Sequence, residues 1–117
     1  MGSPGTVALV SDDLMFASRL STTMKRAGGS AVLVAGDEVP DVGLVFVDLN
    51  SAVERRLALI KRLRVEHPDL EIVGFSHHGD LDLRRRARAS GATRVVNNGS
   101  IQEVALRRSG VSAAGES

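Results

Sequence analysis

The chain has 117 residues, of which 43% are hydrophobic and 25% charged, and its formal net charge is +1. This length fits one domain with a single core, and the near-neutral charge gives no global field that calls for a nucleic acid partner. Cysteine is absent, which excludes disulfides and thiolate metal sites, and no apolar run approaches the roughly 20 residues of a membrane helix. We therefore expect a cytoplasmic protein that acts away from the membrane.

Short β-branched runs alternate with helix-period segments in the first half of the chain. Residues 7–10 form an apolar run that predicts a first strand, and residues 14–27 have apolar side chains at helical spacing. Asp13 is placed to cap the start of this helix, and Gly28 is placed to end it. Two further strands are predicted over 31–35 and 42–47.

The second half of the chain continues the alternation. The predicted elements are a helix ending before Pro68, a strand over 71–75, a helix over 81–90, a strand over 94–96 and a helix from 101 to about 108. Strands that are continuous apolar runs, alternating with helices, predict an α/β fold whose parallel sheet has helices on both faces. We expect one domain over 6–109, followed by a flexible tail or the start of a linker over 110–117.

One connection is too short for the regular pattern. Only six residues, 36–41, separate the predicted second and third strands, whereas a parallel crossover normally needs a dozen or more and contains a helix. Six extended residues span at most about 20 Å. The sequence therefore predicts that the second helix is missing or strongly shortened, and that a groove there exposes apolar sheet unless a partner covers it.

Polar side chains stand where several predicted strands end. Asp12 follows the first strand, Asp48 follows the third and Ser76 follows the fourth. In an open parallel sheet the carboxyl ends of the strands meet at one edge, where sites form. Oxygen ligands gathered there are suited to a hard cation such as Mg²⁺, and a carboxylate there is suited to act as a nucleophile toward phosphorus.

Four segments carry a family resemblance. The sequence VSDD at 10–13 resembles the acidic cluster after the first strand of bacterial response-regulator receiver domains, and FVDLN at 46–50 resembles their phosphoacceptor segment. FSHHGD at 75–80 resembles their Thr/Ser switch, and SGA at 90–92 resembles the Gly-Ala before their fifth strand. The resemblance covers nearly all of 6–108 and implies a CheY-like, flavodoxin-like sheet with strand order 2-1-3-4-5.

The resemblance also implies a site. Asp48 is at the position of the phosphoacceptor that takes a phosphoryl group from a histidine kinase, and Ser76 is at the position that contacts this group. A magnesium ion is held in the family by groups that correspond to Asp12, Asp48 and the backbone carbonyl of Asn50. Any enzymatic activity is then limited to self-phosphorylation and dephosphorylation on Asp48.

The departures from the family pattern predict impaired phosphorylation. Ser11 stands at the position of the first acid, Asn98 at that of the phosphate-binding lysine, and Val95 at that of the aromatic switch. An asparagine dipole replaces a full charge in a chemistry that depends on electrostatic stabilisation, and Ser11 removes a metal ligand. We therefore interpret the chain as an atypical receiver, or pseudo-receiver, in which Mg²⁺ binding is weak or absent.

A basic run is the strongest surface feature. Arg84, Arg85, Arg86 and Arg88 lie within five residues of one helix, so most of them face solvent. They form either a solvated face paired with acids or a docking face for an acidic partner or phosphate. His77 and His78 are adjacent on a loop, point apart, and are poor metal ligands.

Three functions are compatible with these patterns. The first is a signal-transduction module that binds a protein partner or itself, as a homodimer, without needing a phosphate. The second is a working phosphoacceptor in a two-component phosphorelay, phosphorylated on Asp48 by a histidine kinase. The third is a regulator that contacts nucleic acid through its Arg-rich helix, which the near-zero net charge and the three aromatic residues disfavour.

Overall fold

The computed structural model describes residues 5–77 and 80–108. Its elements are β1 (Thr6–Val10), α1 (Leu14–Arg26), β2 (Ser30–Val34), β3 (Leu44–Asp48), α2 (Val53–Glu66), β4 (Glu71–Ser76), α3 (Leu81–Ser90), β5 (Arg94–Asn97), a 3-10 turn (Asn98–Ser100) and α4 (Ile101–Arg108). Each predicted strand and helix is present, with ends that shift by one or two residues. The predicted tail over 110–117 lies outside the described residues, as does residue 109.

The five strands form one parallel sheet in the order β2-β1-β3-β4-β5. The predicted α/β fold and its strand order are therefore confirmed. Alternate side chains of the central strands supply two cores, one on each face. One core packs against α1 and α4 and contains Val7, Leu9, Leu20, Met24, Phe46, Ile101 and Val104. The other packs against α2 and α3 and contains Ala8, Val10, Val45, Leu57, Ile60, Leu63 and Ala87.

The helix ends follow the local chemistry of the chain. Asp13 caps α1, because its Oδ1 accepts a hydrogen bond of 3.0 Å from the Phe16 amide. Asp80 caps α3 in the same way, with 3.1 Å to the Leu83 amide. Gly91 ends α3 at a φ of +125°, in the left-handed region that favours glycine. These caps place the starts of both helices at the carboxyl edge of the sheet.

The connection between β2 and β3 contains no helix, so the prediction that the second helix is missing is confirmed. Residues 35–43, all within the described range, run as an irregular segment instead. Val39 and Val42 pack against the core in place of a helix. The segment is held to α2 because Asp37 pairs with Arg55 at 3.3 Å and its main-chain carbonyl accepts from Arg62.

The predicted groove is thus partly filled by the chain itself. On the outer strand β2, Val32 and Leu33 remain 40% and 39% exposed, on opposite faces of the strand. Of the two, Val32 lies on the face where the helix is missing, and Leu33 lies on the face of α1. None of the helices in the described ranges combines the length and apolar character of a membrane span.

Candidate functional site

The carboxyl edge of the sheet brings the predicted site residues together. Asp48 ends β3, Ser76 ends β4, and Asn98 directly follows β5. Ser11 and Asp12 follow β1, which lies beside β3. All of these strands are parallel, so the five residues share one end of the molecule.

The carboxylate of Asp48 is buried and bonded on both oxygens. The residue is 5% exposed. Its Oδ2 accepts a hydrogen bond of 2.5 Å from the Ser11 hydroxyl. Its Oδ1 accepts two bonds of 2.8 Å from Asn50, one from the main-chain amide and one from the side-chain Nδ2. The group at the phosphoacceptor position therefore already has three donors from its own chain.

Asn50 joins this carboxylate to the opposite wall of the site. Its Nδ2 also donates to Oδ1 of Asn98 at 3.2 Å, and its own Oδ1 accepts from the His77 amide at 2.7 Å. The Nδ2 of Asn98 in turn lies 3.3 Å from Nε2 of His77. Ser11, Asp48, Asn50, His77 and Asn98 thus form one connected network of hydrogen bonds, in which Asn98 contributes an amide dipole where the family has an ammonium group.

A buried arginine approaches the site from α2. Arg56 is 2% exposed. Its Nη1 donates to the main-chain carbonyls of Val10 at 3.2 Å and Asp48 at 3.1 Å, at the ends of β1 and β3. Its Nη2 lies 3.2 Å from Oδ2 of Asp12, whose side chain is 62% exposed. A fixed positive charge therefore sits beside the acid that the resemblance assigns to metal binding.

The sequence interpretation missed Arg56, although a signal for it was present. Helical spacing puts Arg56 on the same stripe as Val53, Ile60 and Leu63, which pack into the core. A charged residue on an apolar stripe must find partners inside the fold. The sequence alone does not say that these partners are two strand-end carbonyls and Asp12, because that depends on how α2 lies across the sheet.

The carboxylates predicted to hold magnesium are already engaged within the chain. Asp12 is paired with the Arg56 guanidinium, and both oxygens of Asp48 accept hydrogen bonds from the chain. Within residues 5–77 and 80–108, no three His, Cys, Asp or Glu side chains group closely enough to hold a metal ion. A divalent cation beside a guanidinium is electrostatically unfavourable. The contribution of the Asn50 main-chain carbonyl stays a prediction.

Ser76 and Val95 lie where the resemblance places them. Ser76 is 5% exposed and follows Phe75, the register partner of Asp48. Its contact with a phosphoryl group stays a prediction. Val95 is buried and packs in the core on the side of α2 and α3, as the register partner of Gly74. His78 lies outside the described residues, so only His77 of the histidine pair can be placed.

The basic run on α3 is divided between internal contacts and solvent. Arg84 donates to the Val95 carbonyl at 3.3 Å, and Arg86 pairs with both carboxylate oxygens of Glu54 at 2.6 Å. The hydrogen bond and charge of Glu54 raise the pKa of Arg86 above its usual value. Arg85 and Arg88 are exposed. Arg86 is exposed as well, in its ion pair with Glu54, so three of the four arginines reach solvent. The docking role of this face stays a prediction.

The similarity of this chain to known proteins lies in its fold. No protein-family model matches the sequence, and no curated protein matches it. Among solved structures, the chemotaxis response regulator CheY4 of Vibrio cholerae superposes with a TM-score of 0.73 at 17% identity, over 92% of this chain and 99% of that one. A response regulator from Thermotoga maritima gives 0.73 at 22% identity, over 90% and 96%.

A third similar structure has a different description. It is that of a candidate pilus assembly protein (cpaE) from Burkholderia thailandensis, with a TM-score of 0.70 at 19% identity over 89% of this chain and 96% of that one. All three superpositions extend over nearly the whole length of both molecules. The chain has the fold of a response-regulator receiver domain.

Proposed function

We propose that this chain is an atypical receiver domain that works in signal transduction as a protein-interaction module, independently of phosphorylation. The observation that carries the proposal is the state of Asp48, whose two carboxylate oxygens accept three hydrogen bonds from Ser11 and Asn50. In this role the domain has no catalytic turnover. It offers surfaces of fixed shape to a protein partner or to a second copy of itself.

The physical argument concerns what phosphoryl transfer requires. A carboxylate must present an oxygen to phosphorus, and positive charge must face the oxygens on which charge develops. For Asp48 to attack, it must use an oxygen that already accepts a hydrogen bond from Ser11 or Asn50, and these bonds stabilise the carboxylate and so lower its nucleophilicity. Asn98 then offers only a dipole to the transferred group, and the positive charge of Arg56 is directed at Asp12 and two carbonyls. The nucleophile, the metal-binding residues and the positive charge that should face the transferred group thus all differ from what phosphoryl transfer requires.

A working phosphoacceptor is the second candidate. Asp48 ends β3 at the centre of the carboxyl edge, and Ser76 and Asn98 follow neighbouring strands of the same sheet. This arrangement favours the candidate, since it keeps an acid and a hydroxyl in the positions of the family. It requires that Arg56 release Asp12 when a metal ion binds. A histidine kinase is the partner that this candidate implies.

The basic run supports a nucleic acid contact less well. Arg84 is half-buried and donates to the Val95 carbonyl, and the exposed Arg86 has its charge paired with Glu54, which leaves Arg85 and Arg88 as the exposed arginines of the run outside these contacts. Phosphate backbones are normally held by a larger basic surface. A protein partner with an acidic patch fits Arg85 and Arg88 better.

The proposal is tested by adding magnesium and beryllium fluoride, which together mimic an aspartyl phosphate, and recording amide spectra by NMR. We expect no saturable shift at Asp48, Asn50 or Ser76, because the carboxylate of Asp48 is held by its own chain. The control is Asp48→Asn, which removes the acceptor carboxylate and keeps the shape of the side chain. A saturable shift in the wild type that this variant abolishes would establish the second candidate instead.

A further inference from the structure

The outer edge of β2 has main-chain groups that no strand of the described chain pairs with. The Ser30 amide donates to the Gly5 carbonyl at 2.9 Å, and the Val34 carbonyl accepts from Ser11 at 3.3 Å, so these two residues face β1. Alternation along the strand then turns the N–H and C=O groups of Ala31 and Leu33 away from the sheet. In the order β2-β1-β3-β4-β5, this side of β2 is the edge.

The same edge lacks the usual protection against pairing. Natural edge strands carry charged residues, proline or bulges that discourage another strand from adding. Residues 27–36 contain neither a charged residue nor a proline. Val32 is 40% exposed on the face where the second helix is missing, and Leu33 is 39% exposed on the face of α1. The strand is therefore apolar on both faces and open along its side.

We propose that a second copy of this chain covers this edge, by antiparallel pairing of β2 with β2 about a twofold axis at Val32. The pairing is self-complementary. Ala31 lies opposite Leu33 of the other copy and exchanges both main-chain hydrogen bonds with it, and symmetry repeats the exchange, giving four bonds. Val32 faces itself as the non-hydrogen-bonded pair, with Cα atoms about 4.5 Å apart. The result is one continuous ten-stranded sheet, five strands from each copy.

Charge complementarity along α1 supports this partner. A twofold axis perpendicular to the sheet keeps both α1 helices on one face and runs them antiparallel, since α1 packs beside β2. The start of α1, capped by the exposed Asp13, then lies beside the end of the other α1, which carries Lys25 and Arg26. Opposite charges and opposite helix dipoles thus meet twice.

The same arrangement buries an apolar side chain that is exposed in the single chain. Leu14 is 70% exposed and lines a shallow depression between α1 and β2, together with Ser18, Ser21 and Leu33. Small serines between two such leucines allow the helices of the two copies to approach closely. The dimer buries Leu14 and Leu33 without displacing any part of the described chain.

A single cysteine at position 32 tests the axis directly. The chain has no cysteine, so Val32→Cys carries one thiol, which the proposed pairing sets against its own copy. The matched control is Val65→Cys, at a 75% exposed valine on α2. On mild oxidation we expect about tenfold or more covalent dimer from the first variant than from the second, because the effective concentration across the axis is high. Equal yields would overturn the proposal.

Sedimentation of the full chain tests the assembly without a crosslink. We expect a dimer that dissociates on dilution, and a monomer for Val32→Lys, which sets two ammonium groups against each other at the axis. Circular dichroism checks that this exposed substitution leaves the fold intact. A wild-type chain that is monomeric at about 1 mM would overturn the proposal, as would a dimer that Val32→Lys leaves unchanged.

This inference names the partner of the module proposed above and so rests on that function, but its readout is independent of it. A saturable response to beryllium fluoride in a chain that still dimerises through β2 would refute only the proposal that the domain works independently of phosphorylation. A monomeric chain with no such response would refute only the proposed pairing of β2.

Discussion

Replacing Arg56 with alanine is expected to lower the free energy of unfolding by about 2–4 kcal/mol. Arg56 is 2% exposed, and its guanidinium donates to the carbonyls of Val10 and Asp48, where β1 and β3 end. Alanine leaves both carbonyls without this donor, and each unsatisfied buried group costs about 1–3 kcal/mol. The lost ion pair with Asp12 adds little to this cost, because the Asp12 side chain is 62% exposed and can be solvated by water instead. Urea unfolding followed by circular dichroism measures the change.

The adjacent residue supplies the control for this prediction. Arg55 lies on the same helix, is 59% exposed at its side chain and pairs with Asp37 at 3.3 Å. Arg55→Ala removes the same side chain from a solvated ion pair, for which we expect a loss of less than about 1 kcal/mol. Arg56→Lys keeps the charge, but its three donors share one nitrogen and cannot reach acceptors that Arg56 contacts through two, so its stability should fall between wild type and alanine. Equal losses from Arg55→Ala and Arg56→Ala would refute the structural role given to Arg56.

Gly91→Ala is expected to destabilise the fold by about 2–4 kcal/mol. Gly91 adopts a φ of +125°, and a Cβ there would lie 2.6 Å from Cβ and 2.8 Å from Cγ of Arg64. The neighbour cannot easily move, because its guanidinium donates to the carbonyls of Gly91, His67 and Pro68 and to the Thr93 hydroxyl. Strain and overlap therefore add, and thermal unfolding of the variant should show a lower midpoint.

Gly28 separates these two contributions. It also has a positive φ, of +89°, but an added Cβ there meets nothing within 4 Å. Gly28→Ala should therefore cost only the backbone strain, about 1–2 kcal/mol. If the two glycine variants lost equal stability, the overlap with Arg64 would have no energetic effect, and the close packing of α2 against the end of α3 would need another explanation.

The fold was predictable because its signals are local in the chain. The apolar run of β1 is buried on both faces, as a central parallel strand requires, and Asp13 and Gly28 mark the ends of α1 in the sequence itself. The missing helix was also predictable, since the length of a connection sets an upper limit on its reach. Strand ends shifted by up to two residues, because pairing in the sheet rather than propensity decides where a strand stops.

The site was predictable only as a set of positions. Strand ends in the sequence placed Asp48, Ser76 and Asn98 on one edge, and the structure agrees. The hydrogen bonds at this edge could not be predicted from the sequence, since they depend on side-chain rotamers and on the positions of neighbouring loops. Asn50 illustrates this, because only its backbone carbonyl was considered and its side chain joins Asp48 to Asn98. Arg56 shows the same limit for a contact made from another element.

The network around Asp48 also suggests why the domain can be stable without a metal ion. In this chain a serine hydroxyl, an asparagine and a guanidinium satisfy the buried polar groups at the strand ends. A buried polar network that is satisfied by its own chain holds its geometry without an external ligand. The surfaces that such a domain presents are then constant, which suits a module that assembles rather than switches.

Titration of the isotope-labelled chain with Mg²⁺ alone tests the central claim most directly, with the Arg56 side-chain N–H signal and the Asp12 amide as the probes. If the guanidinium of Arg56 already neutralises Asp12, both signals should stay in place as the salt concentration rises, apart from the uniform drift that Na⁺ also produces at matched ionic strength. A saturable, Mg²⁺-specific displacement of both signals would show that the ion competes with Arg56 for Asp12, and would contradict the account.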